Sequence, residues 1–368
     1  MIYFDNAATT YPKPESVYEG VSQAMHRYGF NAGRGEYKQS LETYNMIEKT
    51  REKIAKFVST EKNKVVFTAS ATEAINMIID GSLEKDDVVF VSPFEHNAVI
   101  RALVNKKIHV EMIPFNTNTW MIDEEKLQNL IILKKPKAVI LSHISNVTGF
   151  MLPYQKVFEI SKKYNCINIL DAAQSYGIYD IVTSNIDFIV FDGHKSLYAI
   201  FGIGGFIQLS SYELKVTRAG GTGSDSLNTN MPSEMPTKYE AGTMNSISIY
   251  SLSCGVDFLN NKDVKEKIEK LTQYFLEEIA KIENIVVYAQ NNNTHGIVSF
   301  NLEGYGCNEI SEILSNEFEI CVRSGFHCAP YIHDFIGSKK YNGTVRVSFG
   351  YFNTTEEIDR LIEVLRQL

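Results

Sequence analysis

The amino-acid sequence predicts an α/β protein in which a large domain with a mostly parallel sheet is followed by a smaller α+β domain. Two observations support this prediction. Short runs of apolar and β-branched residues alternate with helical segments as far as about residue 250, a pattern typical of strands joined by helical crossovers. Beyond that point helices and strands mix, which indicates a second unit. We place the large domain at 15–255 and the small domain at 256–368.

In the large domain, seven apolar segments predict strands at 65–67, 88–91, 109–114, 138–143, 166–170, 188–191 and 205–208. Apolar residues spaced three or four apart predict helices at 15–28 and 40–58, with a loop at 31–35. A proline suited to a first turn opens another helix at 153–164. Residues 1–14 are rich in turn formers and predict an arm that packs with the small domain.

In the small domain, amphipathic spacing predicts helices at 262–282, 307–317 and 355–367. Strands are predicted at 285–289, 297–302, 319–322 and 345–349, and a loop rich in Gly, His and Pro at 323–331. This mixture suits a smaller α+β unit.

The composition argues against several classes of protein. The chain has 368 residues, a net charge of −8 and a sequence pI of about 5.6, which disfavours nucleic acid or an anionic membrane as the main partner. No apolar run approaches the roughly 20 residues that cross a bilayer. The first residues lack the charged and apolar regions of a signal peptide. The five cysteines are odd in number, widely spaced and without a CxxC pair, which favours a reducing, cytoplasmic location and argues against disulfides or a structural zinc site.

One short segment after the strand at 188–191 directs the functional interpretation. Residues 191–196 read Phe-Asp-Gly-His-Lys-Ser, so Lys195 lies just past a strand end, where open α/β sheets bind ligands. The glycines at 202, 204 and 205 allow the backbone to approach closely. Lys195 can form a Schiff base if burial or a nearby cation lowers its pKa. The alternative is a solvated lysine in a surface loop.

Other polar residues follow the ends of other predicted strands, and in a parallel sheet these ends share one edge. Each has a role if an aromatic aldehyde cofactor binds there. Thr72 lies at a helix start, which suits a phosphate. His96 suits stacking on a planar ring, and Asp171 suits pairing with a pyridinium nitrogen, which makes the ring an electron sink. The alternatives are an ordinary loop histidine for His96 and a helix N-cap for Asp171.

With Lys195, Asp171, His96 and Thr72 in these sequence settings, the chain resembles the class V aminotransferase family of pyridoxal-phosphate enzymes, and within it the cysteine desulfurases. The resemblance runs nearly from end to end. It includes Tyr-Phe-Asp-Asn-Ala-Ala-Thr-Thr at 3–10, Gly-His-Lys at 193–195 and Arg-Ser-Gly-Phe-His-Cys-Ala-Pro at 323–330. The other matching segments are 71–74, 95–96, 145–149, 171–174 and 240–245.

The resemblance implies a fold-type I enzyme with a seven-stranded sheet, pyridoxal 5′-phosphate bound to Lys195, and a homodimer. It implies that His96 stacks on the cofactor ring and takes part in catalysis, and that Asp171 pairs with the ring nitrogen. The other residues implied to bind the cofactor are Ala71, Thr72, Asn146, Gln174, His194 and Thr243, the last reaching the partner's active site. The residues implied to bind the substrate L-cysteine are Asn146, Arg323 and Arg346, with Arg346 gripping the carboxylate.

Cys328 sets the subclass within the family. Residues 323–328 match the compact cysteine loop of group II desulfurases and selenocysteine lyases. The resemblance implies that the Cys328 thiolate attacks the substrate sulfur and leaves as a persulfide for transfer to an acceptor such as another protein. Arg323 and His327 are cations near in sequence that would lower the thiol pKa. The alternative is a packed structural cysteine, which we favour for Cys166 and Cys321.

The sequence departs from the family at two points next to the cofactor pocket. Asp192 stands where the family usually has Ser or Thr, and Ala-Ile-Phe-Gly at 199–202 stands where it often has Gly-Pro-x-Gly. We expect Asp192 to turn away from the phosphate and cap the following turn. The alternatives are that Asp192 is protonated, or that His194 and other cations offset its charge.

The resemblance thus implies a cysteine desulfurase that converts L-cysteine to L-alanine. The alternatives are a lyase acting on selenocysteine or another thio-amino acid, and a non-catalytic scaffold that binds a sulfur-transfer partner.

Overall fold

The structure is a computed structural model that describes residues 1–32, 35–223, 227–290 and 293–368. Gly33 and Arg34, in the predicted loop at 31–35, lie outside the described residues. No helix among the described residues is both long and apolar enough to cross a lipid bilayer.

The strands, in chain order, are β1 (Ile2–Tyr3), β2 (Val65–Thr68), β3 (Val88–Val91), β4 (His109–Met112), β5 (Ala138–Ser142), β6 (Ile167–Asp171), β7 (Phe188–Asp192), β8 (Gly204–Gln208), β9 (Ile285–Tyr288), β10 (Ile297–Leu302), β11 (Ile320–Cys321), β12 (Arg323–Gly325) and β13 (Thr344–Ser348). The α-helices are α1 (Glu15–Arg27), α2 (Lys38–Lys56), α3 (Ala71–Ser82), α4 (Asn97–Asn105), α5 (Glu124–Lys134), α6 (Tyr154–Lys162), α7 (Ser246–Asn261), α8 (Val264–Ile279), α9 (Cys307–Phe318), α10 (Ile332–Phe335) and α11 (Thr355–Leu365).

The central sheet has seven strands in the order β2-β8-β7-β6-β5-β3-β4. Strand β8 runs antiparallel to both of its neighbours, and the remaining pairs are parallel. This confirms the prediction of a mostly parallel, seven-stranded sheet. Strands β5 to β8 are buried along their whole length, as expected when helices cover both faces of a parallel sheet.

Strand β7 shows how the sequence creates two apolar faces. Phe188 and Val190 belong to the hydrophobic core on one side of the sheet, whereas Ile189 and Phe191 belong to the core on the other side. Successive side chains of a strand point to opposite faces, so a continuous apolar run is what a strand covered on both faces requires. The polar residues are therefore confined to the strand ends, where the candidate site lies.

A second sheet is formed by β12-β13-β10-β9 in fully antiparallel arrangement. Its apolar core includes Phe275 of α8, Leu314 of α9 and Leu361 of α11. Strand β12 lies within the predicted loop at 323–331, so the structure replaces the first part of that loop by a short strand paired with β13.

Residues 1–14 reach both sheets. Strand β1 pairs in parallel with β11, and the N–H of Ala7 donates to the hydroxyl of Ser348 at 2.8 Å. Further along, the N–H of Thr10 donates to the carbonyl of His194 at 3.2 Å. The division at 255/256 stays a prediction, and that position lies inside the continuous helix α7, which packs against α1 and α2.

Candidate active site

The carboxyl edge of the central sheet borders a cavity with about 410 Å³ of empty space. Seven of the residues singled out in the sequence line it: Ala71, Thr72, His96, Asn146, Asp171, Gln174 and Lys195. Ser142 and Asp192 line it as well. Residues more than 120 positions apart in sequence therefore meet at one edge because parallel strands deliver their ends to the same side. Their roles toward a cofactor stay predictions.

Lys195 is held in a tight turn after β7. The N–H of Ala199 donates to the carbonyl of Gly193 at 2.8 Å, and the N–H of Tyr198 donates to the carbonyl of Lys195 at 3.1 Å. The Nζ of Lys195 lies 3.8 Å from Oδ2 of Asp192, and its side chain is only 17% exposed. A sheltered amine at a fixed position is what a covalent cofactor link needs, and the solvated-lysine alternative does not describe it.

His96 is the N-cap of α4. Its Nδ1 accepts a hydrogen bond of 3.1 Å from the N–H of Ala98, which fixes the ring. Burial lowers the pKa of His96 to about 4, so the ring is neutral at neutral pH. A neutral, oriented imidazole can lie against a planar ring without adding charge to the cavity.

Asp171 ends strand β6 and accepts a hydrogen bond of 3.0 Å from the N–H of Ala173. Burial raises its pKa. No helix lies between β6 and β7 in the described chain, so this bond belongs to a turn and not to the helix N-cap of the alternative interpretation, and the carboxylate lines the cavity.

Behind Asp171 lies Glu95, a residue that the sequence analysis used only as part of a motif. Glu95 is fully buried and accepts hydrogen bonds from the hydroxyl of Ser92 at 2.5 Å and from the N–H and hydroxyl of Ser142 at 2.9 Å each. Burial raises the pKa of Glu95 to about 7, and the negative charge of Asp171 contributes in the same direction. No sequence signal distinguishes this buried acid from a surface glutamate.

The start of helix α3 forms the other end of the cavity. Ser70 caps the helix by accepting a hydrogen bond of 3.2 Å from the N–H of Glu73. Ala71 and Thr72 follow in the first turn, where amide groups lack partners within the helix and favour an anion. Gly204 of β8 permits this arrangement, since a Cβ there would lie 2.6 Å from the carbonyl carbon of Ser70 and 2.7 Å from the nitrogen of Ala71.

Asp192 does not turn away from this end of the cavity, and that expectation is wrong. Its side chain lines the cavity, with Oδ2 at 3.4 Å from Nε2 of His194 and 3.8 Å from Nζ of Lys195. Burial acts to raise the pKa of Asp192, but the hydrogen bond from His194 and the charge of Lys195 outweigh it and hold that pKa below the usual range. Compensation by His194 and other cations is therefore the alternative that the structure supports. His194 itself lies just behind Asp192 and is not among the residues that line the cavity.

Arg346 is fully buried beside the cavity and comes from the centre of β13. Its Nη2 donates to Oδ1 of Asp5 at 2.6 Å, and its Nη1 donates to the carbonyl of Asn146 at 2.8 Å. Its Nε has no hydrogen-bond partner within the described part of the chain. The guanidinium is thus fixed in place, and its Nε–H group remains able to donate a hydrogen bond.

Cys328 lies in the turn after β12. The Nη2 of Arg323 is 3.2 Å from its Sγ, which places a permanent cation against the sulfur. His327 and Cys328 both have positive φ values, +47° and +57°, in a region that non-glycine residues adopt only when the surroundings hold them there. The carbonyl of Cys328 accepts a hydrogen bond of 2.7 Å from the N–H of Asn97, next to His96.

His327 is not the second cation that the sequence suggested. It is buried, and burial lowers its pKa well below the usual range. Its Nε2 is 2.9 Å from both the carbonyl and the hydroxyl of Thr344. The ring is therefore a neutral structural group, and of the two proposed cations only Arg323 contacts the sulfur.

Thr243 lies apart from the Lys195 cavity. It lines a separate, partly open pocket together with Glu240 and Arg218. The segment is anchored by Glu240, whose carboxylate forms a buried ion pair with Arg51 at 2.7 Å. Within a single chain, Thr243 therefore does not line the cavity that contains Lys195 and the other candidate residues.

The fold of the chain is similar to that of solved cysteine desulfurases. A cysteine desulfurase from Thermococcus onnurineus, solved in its apo form, superposes with a TM-score of 0.90 at 28% identity, covering 100% of this chain and 94% of that one. The Escherichia coli cysteine desulfurase CsdA has the same fold, with a TM-score of 0.86 at 24% identity over 99% of this chain and 94% of that one.

Sequence relatives agree with the structural neighbours. A probable cysteine desulfurase of Methanothermobacter thermautotrophicus is 30% identical over 100% of this chain and 94% of its own length, and one of Vibrio cholerae is 29% identical over 100% and 93%. The profile of the family described as aminotransferase class-V matches residues 2–361. The chain therefore belongs to the class-V aminotransferase family.

Proposed function

We propose that this protein is a pyridoxal-phosphate-dependent cysteine desulfurase, which converts L-cysteine to L-alanine and leaves a persulfide on Cys328. The observation that carries the proposal is the pairing of two sites. Lys195 lies sheltered in a cavity with the buried acid Asp171 and the neutral His96. Cys328, with Arg323 against its sulfur, lies on a loop that is bonded to the start of α4, the helix that His96 caps. Similarity to proteins named cysteine desulfurase supports the choice of substrate.

The residues in the cavity fit the proposed cofactor. Lys195 would hold the aldehyde carbon, His96 would lie against the ring, and Asp171 would pair with the ring nitrogen. The first turn of α3, at Ala71 and Thr72, would receive the phosphate. When bound, pyridoxal phosphate withdraws electrons from the carbon that carries the amino group of the substrate. Gln174 lines the same cavity, and its amide already donates to the carbonyl of Ala7 at 2.9 Å, so its oxygen remains as an acceptor.

Arg346 would bind the substrate carboxylate with its remaining donors. A fixed, planar guanidinium suits a carboxylate because it offers parallel N–H groups. Asn146 bonds to Arg346 and to the cysteine loop. Its backbone carbonyl accepts a hydrogen bond from Arg346, and its side-chain Nδ2 donates to the carbonyl of His327, each at 2.8 Å. The proposed substrate site and the cysteine loop are thus joined through one residue, by its backbone carbonyl on one side and its side-chain amide on the other.

Cys328 would take the sulfur. A new S–S bond forms between Cys328 and the substrate sulfur while the Cβ–S bond of the substrate breaks. The electron pair of that bond stays with the carbon, which gains a proton and becomes the methyl group of alanine. Overall, one thiol and one cysteine give one persulfide and one alanine, so no external oxidant or reductant is needed. The guanidinium of Arg323 donates to this sulfur at 3.2 Å and holds it in place.

A homodimer is part of the proposal. Thr243 lines a different cavity from Lys195, which supports a role toward a second copy of the chain rather than toward its own cavity. Transfer of the persulfide sulfur to an acceptor protein and a cytoplasmic location belong to the same proposal.

The test is anaerobic turnover of L-cysteine by the purified protein loaded with pyridoxal phosphate. We expect alanine and, with a thiol reductant, sulfide in equal amounts. Cys328→Ala should keep the visible absorbance of the bound cofactor and lose most of both products. Cys254→Ala is the matched control, because burial raises the pKa of that thiol. Full activity of Cys328→Ala would assign the sulfur chemistry to another group, and product formation from selenocysteine alone would favour the lyase alternative.

A further inference from the structure

The carboxylate of Asp192 occupies the end of the cavity where the phosphate is proposed to bind. Asp192 is 5% exposed and lines the cavity with Ala71 and Thr72 of the α3 start. Its Oδ2 faces His194 and Lys195, but its Oδ1 is buried without a hydrogen-bond partner in the described ranges. An ionised carboxylate oxygen can only accept a hydrogen bond. The structure therefore leaves a buried acceptor where an anion is to be placed.

The charges around Asp192 are already committed to other contacts. The titratable groups that interact with it are His194, Lys195, Lys13, His96 and Asp171. His194 and Lys195 already contact its carboxylate and lower its pKa, and His96 is neutral at neutral pH. Asp171 adds a second negative charge.

Lys13 cannot simply be reassigned to the phosphate. Its Nζ donates to the hydroxyl of Thr10 at 2.6 Å and to the carbonyl of His194 at 2.8 Å. Burial lowers its pKa to about 7, with Asp192 acting in the opposite direction. Lys13 is therefore only partly protonated at neutral pH, and a phosphate dianion would arrive without a free full cation to neutralise it.

We propose that Asp192 and the cofactor phosphate bind with one shared proton, so that Oδ1 and a phosphate oxygen are joined by a hydrogen bond. This rests on the proposed binding of pyridoxal phosphate at Lys195. At an effective dielectric near 20, each unit of negative charge on the phosphate, placed about 4 Å from the ionised carboxylate of Asp192, would weaken binding by roughly a thousandfold, and a proton removes one such unit. Holding a phosphate with a second pKa of about 6 as its monoanion at pH 7.5 weakens binding only about thirtyfold. Proton uptake is thus the smaller of the two costs.

The proposal predicts a proton count that a neutral side chain at position 192 would not give. Calorimetric titration of the apo-protein with pyridoxal phosphate, in two buffers of different ionisation enthalpy, measures the protons taken up per site. We expect the natural protein to take up about one proton more than Asp192→Ser near pH 7.5. Its affinity for the cofactor should also fall about tenfold more per pH unit than that of the variant, because each bound cofactor then carries one extra proton.

Pyridoxal, which lacks the phosphate, is the control ligand. Asp192 also contacts Lys195, so replacing Asp192 can alter the number of protons exchanged when Lys195 reacts with the aldehyde. Pyridoxal reacts with Lys195 but brings no phosphate, so it measures this effect by itself. We expect no extra proton with pyridoxal. Asp192→Asn, which keeps the shape of the side chain, repeats the measurement should Asp192→Ser fail to fold. The shared proton would be overturned if the natural protein and the Asp192 variant took up the same number of protons with pyridoxal phosphate. It would also be overturned if the natural protein took up the same extra proton with pyridoxal. Absence of visible absorbance in every protein would instead overturn the proposed cofactor.

Discussion

Replacing Arg346 tests the substrate site most directly. The guanidinium is fully buried and bonded to Asp5 at 2.6 Å and to the Asn146 carbonyl at 2.8 Å. If it also binds the substrate carboxylate, Arg346→Ala removes one partner of a buried charge pair, which costs about 2–5 kcal/mol of binding free energy. The Kd for L-cysteine should therefore rise by roughly thirtyfold to several thousandfold.

Arg346→Ala also leaves Asp5 without its cation. Breaking a buried ion pair costs about 3–5 kcal/mol of stability, and the side chain of Asp5 is 21% exposed, so we expect the lower end of that range. Substrate binding must then be separated from stability. Asp5→Asn breaks the same ion pair but keeps the guanidinium, so it should lower the free energy of unfolding while cysteine binding is retained.

The assay is titration of the cofactor-loaded protein with L-cysteine, followed by visible absorbance, with cysteamine as the comparison ligand. Cysteamine has the amine and thiol of cysteine but no carboxylate. Arg346→Ala should weaken binding of cysteine and leave that of cysteamine nearly unchanged. The assignment of Arg346 to the carboxylate is refuted if both ligands are weakened equally, or if Asp5→Asn weakens cysteine as much as Arg346→Ala does.

Three further predictions concern the cofactor end of the site. Borohydride reduction of the loaded protein should fix the cofactor on Lys195, as read by peptide mass spectrometry, and a label on another lysine would contradict the assignment. Burial raises the pKa of Glu95 from 4.5 to about 7. Its protonated carboxyl therefore stabilises the fold fully below pH 4.5, and roughly 3 kcal/mol of the free energy of unfolding is lost as the pH rises through 7. Urea unfolding of Glu95→Gln should lack this part of the pH dependence; an unchanged pH profile would mean that Glu95 is not protonated on folding. Gly204→Ala should weaken cofactor binding at least tenfold because its methyl would meet the start of α3, whereas Gly306→Ala, whose methyl meets nothing within 4 Å, should bind normally.

The central sheet could be predicted because its strands combine apolar runs with polar ends. Strand β7 is the clearest case, since four buried apolar residues lead to Asp192 and, after Gly193, to His194 and Lys195. The convergence of His96, Asp171 and Lys195 then follows from parallel pairing alone. Sequence patterns of this kind report which residues are buried and in what order the elements come.

Helix α7 was missed because small polar residues are buried alongside its apolar ones, which are Ile249, Leu252, Val256 and Leu259. The residues it buries include Ser248, Ser251, Ser253 and Gly255, so the periodic signal of an amphipathic helix is weak. Gly255 is needed for packing, since a Cβ there would lie 2.1 Å from the carbonyl oxygen of Leu197 in the lysine loop. Small polar residues thus mark a close helix contact that looks like a loop in the sequence.

The charge states of the site could not be predicted from the sequence. His327 resembles a cation beside Cys328, but burial against Thr344 makes it neutral. Asp192 resembles a turn cap, but its carboxylate faces His194 and Lys195. Both outcomes depend on side-chain direction and on the depth of burial, which neighbouring sequence does not encode.

The contact between Asp5 and Arg346 also bears on when the site forms during synthesis. These residues are 341 positions apart, yet they form one ion pair at the proposed substrate site. The seven strands of the central sheet lie between residues 65 and 208 and can pair while the ribosome is still producing the rest of the chain. The first residues must wait for β13 before they find their partners. The sheet edge that carries Lys195 can therefore form before Arg346 meets Asp5, so the proposed cofactor end of the site is synthesised well ahead of the proposed substrate end.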